Sequence, residues 1–218
     1  MLSRNTIIPS LLLLLSGCAS TGTDKAAYTA TAMREVQTEL GKGVQDVDAV
    51  VQSMNQLAEA GGNMSQEYQA YSRAVDTMED QAERIRGLRT DMEAREAAFM
   101  QDWDNRLTQI RDADLRQRAS ERRDQAVQRF DELGTKADAA RDVFQPWMQS
   151  LTDIRTYLQN DLNPTGVESL SDVFDSVNDG AEEIKEQVQG LVSELDTMIT
   201  AIEAAVPPPP ETGTDSSR

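Results

Sequence analysis

The chain of 218 residues has no histidine and only one cysteine, Cys18. A single cysteine cannot form an intramolecular disulfide, and without histidine the chain cannot build a Cys/His catalytic pair or a Cys/His zinc site. Aromatic residues make up 5% of the chain, which favours long helices over a sheet-built core. The 38 acidic residues outnumber the 21 basic ones. This excess disfavours nucleic acid as a partner.

No apolar run is long enough to span a bilayer. The run from Ile7 to Leu15 follows the basic residue Arg4 and has the proportions of a signal peptide. It leads into Leu15-Ser16-Gly17-Cys18, which resembles the lipobox of bacterial lipoproteins. An ordinary signal peptide with a chance cysteine is the other interpretation.

The lipobox resemblance implies that residues 1–17 are removed and that Cys18 carries the lipid. One acyl chain gives only marginal membrane binding, whereas two or three acyl chains anchor a protein stably. Ala19 follows the cysteine where an inner-membrane lipoprotein would have aspartate, so the resemblance implies the periplasmic face of the outer membrane. The outer face of the inner membrane is the alternative location.

Heptad spacing of apolar residues predicts four long helices. The first runs from about Asp24 to Ala60, the second begins at Met64, the third ends near Leu158, and the fourth carries an unbroken stripe from Val167 to Ala205. Burial of these stripes predicts an all-α fold, an elongated antiparallel four-helix bundle or coiled coil in up-down-up-down order.

The breaks between the helices differ in clarity. Gly61-Gly62-Asn63 separates the first two helices, and the stretch 160–166 is rich in turn and capping residues. Between the second and third helices only Asp112 or Asp114 offers a cap. We predict a turn there, and one uninterrupted helix is the alternative.

These boundaries divide the chain into four parts. Residues 1–17 form the signal peptide, 18–23 a lipidated linker, 24–206 the helical bundle, and 207–218 a proline-rich disordered tail.

Two stretches of the chain resemble a known family. Tyr71–Arg106, with Phe99 and Trp103 four residues apart, and the stretch from Pro146-Trp147-Met148 to Asn163 are similar to the uncharacterised bacterial lipoproteins grouped as domain of unknown function 2959. The resemblance covers residues 64–205 and implies a helical envelope lipoprotein without catalytic residues. The chain departs from the family at residues 159–163, where the family tends to have Lys-His-Asn-Leu-Asn, so no role of that basic pair is transferred.

One loop has spacing close to that of a calcium-binding EF-hand loop. Its oxygen-bearing side chains would be Asp161, Asn163, Thr165 and Asp172, with Gly166 at the sixth position. The shorter Asp172 stands where a bidentate glutamate is usual, and no second hand exists to pair with it. A turn whose polar residues cap helix ends is the favoured interpretation, so we expect no metal.

An arginine cluster interrupts the acidic chain, and up-down connectivity would place it at the lipid-anchored end. We treat four members as candidate contacts to anionic headgroups: Arg116, Arg118, Arg122 and Arg123. The alternative is that these arginines pair with helical carboxylates and cover apolar surface with their stems.

No constellation of carboxylates, hydroxyls or lysines suggests catalysis, so we expect neither enzyme activity nor a cofactor. The leading hypothesis is a lipid-anchored, non-catalytic periplasmic rod that positions or binds a protein partner in the cell envelope. The alternative is a carrier that holds a lipid or another apolar ligand inside the bundle. Heptad repeats also drive self-association, so a homo-oligomer stays open.

Overall fold

The computed structural model describes residues 22–61 and 64–205. The described chain is helical and contains α1 (Gly22–Ala58), α2 (Met64–Leu107), α3 (Ala113–Asn160), the short α4 (Pro164–Glu168) and α5 (Ser171–Ala205). The predicted signal peptide, Cys18 and the proline-rich tail lie outside the described residues. Of the helices described, none combines the length and apolar character needed to cross a membrane.

The four long helices form an antiparallel bundle, as the sequence predicts. α1 packs along both α2 and α5, whereas α3 packs along α5 and less closely along α2. Lys25 near the start of α1 contacts Asp102 near the end of α2, and Gln81, earlier in α2, bonds to Glu39, later in α1. At about 1.5 Å per residue, the 48 residues of α3 give the bundle a length of roughly 70 Å.

The predicted turn between the second and third helices is confirmed. α2 ends at Leu107, and Asp112 is the N-cap of α3, where its Oδ1 accepts a hydrogen bond of 2.9 Å from the backbone N–H of Leu115. A capped start satisfies one of the backbone donors that the first turn leaves free. The long uninterrupted helix therefore does not form.

The connection before the last helix is longer than predicted, because the last helix begins at Ser171 rather than near Val167 and the short α4 precedes it. Pro164, within the predicted connection, is the first residue of α4, where its missing N–H costs nothing. Asn163 caps this helix by accepting a bond of 3.0 Å from the backbone N–H of Gly166. A Cβ at Gly166 would lie 2.2 Å from the carbonyl oxygen of Asp161, so only glycine fits there.

The apolar stripes bury two separate cores along the bundle. The first core lies at the end formed by the α1–α2 and α3–α5 connections, and its largest fully buried members are Met54, Leu57, Tyr71, Met78, Leu151, Ile154 and Leu158. The second core lies toward the start of α1, and its members include Met33, Leu40, Met92, Phe130, Leu133, Leu195 and Met198.

A tryptophan of α3 fits against a glycine of α5 in the first core. The Nε1–H of Trp147 donates a bond of 2.9 Å to the carbonyl oxygen of Val177, and the ring lies over Gly180. A Cβ at Gly180 would be 2.9 Å from Cδ1 of the indole, closer than real Cβ atoms come. The close approach of α3 and α5 therefore requires glycine at this position.

We predict that Gly180→Ala lowers the free energy of unfolding, although alanine is the better helix former by about 1 kcal/mol. The clash with the indole should outweigh that gain and cost about 1–3 kcal/mol, as overpacking does. The control is Gly190→Ala in the same helix, because a Cβ there meets nothing within 4 Å. Urea unfolding followed by circular dichroism measures both, and a stabilised Gly180→Ala would contradict the packing.

Candidate functional site

A cavity of about 860 Å³ lies in the middle of the bundle and opens to solvent between α2 and α3. All four long helices contribute apolar side chains to its wall, which include Val36, Leu40, Val44, Val47, Met78, Ile85, Met92, Phe130, Leu133, Phe144, Met148, Ile184, Val188 and Leu191. A cavity of this size and composition falls within the range of ligand sites, about 300–1,000 Å³. The site lies where the first core meets the second.

The cavity exists because small residues coincide at this level of the bundle. Gly43 faces it from α1, Ala82 from α2, and Gly134, Ala137 and Ala140 from α3. Larger residues at the α3 positions would fill the space between helices to ordinary packing density, whereas a Cβ at Gly43 would already approach Cδ1 of Ile85 to 3.3 Å. A Cβ at Gly134 would meet nothing within 4 Å, so the gap beside α3 is real space rather than a tight contact.

Polar contacts hold α2 and α3 together beside the opening and across it. On one side, the hydroxyl groups of Tyr68 and Tyr71 donate to backbone carbonyls of α3, at 3.1 and 2.7 Å. The opening itself is crossed by an ion pair of 2.9 Å between Arg89 Nη1 and Asp138 Oδ1. Burial raises the pKa of the Tyr71 hydroxyl, which keeps it a neutral donor.

Glu96 is a half-buried carboxyl on the cavity wall with no cationic partner among the residues that the structure describes. Burial, followed by the nearby charges of Asp131 and Glu93, raises the pKa of Glu96 to about 7. Glu93 differs because Arg89 pairs with it at 2.7 Å. The cavity therefore carries one carboxyl group that changes charge near neutral pH.

The α2–α3 turn carries the predicted arginine contacts. Arg116, Arg118 and Arg122 are exposed, and within the described chain none of the three has an ion-pair partner. Arg116 donates only a long bond of 3.5 Å to the carbonyl oxygen of Ile110. The alternative interpretation, in which these arginines pair with helical carboxylates, therefore does not hold for these three side chains.

Arg123 takes a different position from the other three candidates. It is 26% exposed, and its Nη2 donates to Oδ2 of Asp104 at 3.1 Å, which joins α3 to α2 just above the turn. This pairing raises the pKa of Arg123. Arg123 therefore holds the turn together.

The oxygens of the candidate calcium loop are placed at helix ends. Asn163 caps α4, its amide donates to Asp161, and the other carboxylate oxygen of Asp161 accepts from Tyr157 at 3.3 Å. Asp172 lies in the first turn of α5. Among the described residues no cluster of three or more metal-binding side chains occurs.

The position of the cavity is the feature that the sequence reasoning missed. The carrier alternative placed a ligand along the methionine and aromatic stripes without a location. The sequence did contain an indication of the cavity. Small residues occupy or flank core positions in the middle of three different apolar stripes, at Gly43, Ala82 and Ala137. Only an alignment of the helices with one another shows that these positions share a level.

The fold and the site together define a class, an all-α elongated helical bundle with an apolar cavity at its middle. The chain belongs to the family described as "Protein of unknown function (DUF2959)", whose sequence model matches residues 20–206. The match includes α1, which the resemblance in the sequence had left out. No curated protein and no solved structure shows significant similarity to the chain.

We predict that Glu96→Gln stabilises the bundle at pH 8 and leaves its stability nearly unchanged at pH 4. Because the folded pKa of about 7 exceeds the ordinary value of 4.5, the folded state binds the proton more tightly. The free energy of unfolding of the wild-type protein therefore falls as pH rises from 4.5 through 7. The gain at pH 8 should be about 1–2 kcal/mol, less than the full shift implies because the group is partly hydrated.

Urea unfolding at both pH values measures this difference. Glu186→Gln, at an exposed position of α5, is the control and should change stability equally little at each pH. An equal effect of Glu96→Gln at pH 4 and pH 8 would refute the assignment of a protonated carboxyl in the cavity.

Proposed function

We propose that the chain is a lipid-anchored, non-catalytic helical bundle of the bacterial cell envelope that acts by positioning or binding a protein partner. The observation that carries the proposal is the position in the sequence where the family match begins, relative to the lipobox. The match begins at residue 20, two residues after Cys18, which fits a mature chain that starts at the acylated cysteine. The described helices begin at Gly22, so little chain separates the anchor from the bundle.

The length and charge of the bundle support a role in contacts at a distance from the anchor. A rod of roughly 70 Å would extend well beyond the headgroups. The formal net charge of −17 suits reversible electrostatic association with a basic surface. In this proposal the periplasmic face of the outer membrane is the location, and the outer face of the inner membrane is the alternative.

We predict that Cys18→Ser abolishes incorporation of labelled palmitate and leaves the chain unanchored. Ala19→Asp should keep the label but move the protein to the inner-membrane fraction, whereas Ala19→Ser should leave it in the outer-membrane fraction. Metabolic labelling, mass spectrometry of the amino terminus and density fractionation of membranes provide the readouts. An intact, unlabelled amino terminus in the wild type would overturn the anchor.

A second candidate function, a carrier of a lipid or another apolar ligand, is favoured by the cavity. All four long helices contribute apolar side chains to its wall, and the ion pair of Arg89 and Asp138 crosses its opening. This ion pair is part-buried and remains a weak barrier, on the order of 1 kcal/mol, so α2 and α3 can separate there at small cost. This geometry would admit a chain-like ligand from the side of the bundle.

We predict that the double variant Ala137→Leu/Ala140→Leu reduces the lipid that co-purifies with the natively isolated protein, because it fills the cavity. Both residues line the cavity, while Ala139 between them is exposed, so Ala139→Leu is the matched control. Native mass spectrometry compares bound lipid in the three proteins. If no apolar molecule co-purifies with the wild-type protein, the carrier function is refuted and the structural rod is the function that stands.

A further inference from the structure

We propose that the α2–α3 turn is a membrane-contacting tip, in which Leu115 enters the headgroup region of an anionic bilayer while Arg118 and Arg122 bind its phosphate groups. The geometry at the start of α1, the charge of the turn and one exposed leucine carry this inference. The orientation rests on the proposed anchor at Cys18.

The turn lies at the end of the bundle where the anchored chain enters α1. Lys25 Nζ is 3.2 Å from Asp102 Oδ1, and Arg95 reaches the carbonyl oxygen of Tyr28 at 3.5 Å. These contacts set the start of α1 level with the last turns of α2. α2 continues to Leu107, so the turn from 108 to 112 projects beyond Gly22, away from the bundle.

The short linker keeps this turn close to the bilayer. The four residues from Cys18 to Gly22 can span at most about 14 Å when fully extended. A lipid on Cys18 would therefore hold the start of α1 within that distance of the headgroups. Because the turn projects further than Gly22, it would lie at the membrane surface itself.

The charge of the tip is opposite to that of the rest of the chain. Between residues 108 and 122 four arginines face three acidic residues, a local charge of +1 in a chain of net charge −17, while Asp102 and Asp104 neutralise the flanking Arg106 and Arg123. One of the three acids, Asp112, bonds to the backbone of the tip through its cap. Attraction to an anionic surface acts within about one Debye length, roughly 8 Å at physiological salt, and it reaches the tip because the turn projects beyond Gly22 toward the headgroups.

Leu115, Arg118 and Arg122 share one face of α3, because residues three and four apart on a helix are neighbours. Leu115 is 58% exposed, one of the few large apolar side chains in the described chain that solvent reaches to this extent. An apolar side chain flanked by unpaired arginines matches the boundary between headgroups and acyl chains. Arg123 is excluded from this surface because it pairs with Asp104.

The test uses the acylated protein in vesicles, with a fluorescent probe on Leu115→Cys. Acylation blocks Cys18, so the thiol reagent labels only the introduced cysteine. Ser65→Cys is the control, because Ser65 is exposed at the start of α2, at the opposite end of the bundle. In vesicles rich in phosphatidylglycerol, lipids carrying a quencher should quench the probe at residue 115 and leave the probe at residue 65 unaffected.

Charge reversal separates headgroup binding from simple proximity. Arg118→Glu/Arg122→Glu should lower the equilibrium constant for contact of the tip with the bilayer by at least about 25-fold, since each arginine near an anionic surface contributes about a factor of five and the introduced glutamates are repelled. Arg73→Glu/Arg86→Glu changes the net charge equally at two exposed positions of α2 away from the tip and should leave quenching unchanged. In vesicles of phosphatidylcholine alone, quenching should be weak for every variant.

Two results would overturn the proposal that the tip contacts the membrane. One is an anchored protein whose probe at residue 115 stays in water, and the other is equal quenching in neutral and anionic vesicles that the Arg118 and Arg122 reversals do not change. Failure of the anchor has its own signature, because an unacylated Cys18 would take up the label. In that case flotation of the chain with phosphatidylglycerol vesicles decides: binding that depends on Arg118 and Arg122 supports the tip, and no binding refutes it.

Discussion

α1 holds the bundle together, because it makes the most extensive contacts of the four long helices, along α2 and along α5. Its stripe, from Met33 through Leu40 and Val47 to Leu57, is buried against α2 on one side and α5 on the other. α3 completes the ring mainly through α5. The pair α2 and α3 is therefore the weakest seam of the bundle, and the cavity, its opening and the Arg89–Asp138 ion pair lie along that seam.

Much of the fold could be predicted from the sequence because heptad spacing is a local property. The last helix carries an unbroken stripe, and the structure buries Phe174, Val177, Ile184 and Leu195 as the stripe requires. The turn at Asp112 was also predictable, since a capping side chain acts on a backbone N–H only three residues away. In each case the physical cause and its effect lie within one or two helical turns.

The features that could not be predicted depend on contacts between helices distant in sequence. Gly180 gives no local reason for its presence, and only the indole of Trp147, 33 positions earlier, explains it. Pro164 lies within the predicted connection 160–166, yet at the first position of α4 it starts a short helix. Likewise, Arg123 and Arg122 are adjacent and alike in the sequence, and only the nearby Asp104 separates a structural arginine from a free one.

The fit of Trp147 over Gly180 has a mechanical consequence. The indole occupies the space that a side chain at position 180 would take, and its N–H is bonded to Val177. Sliding α3 along α5 by one helical turn would drive the ring against the side chains that flank Gly180 and break that bond. A rod fastened at one end and loaded at the other is sheared along its axis, and this interlock lets the two helices bear such a load as one body.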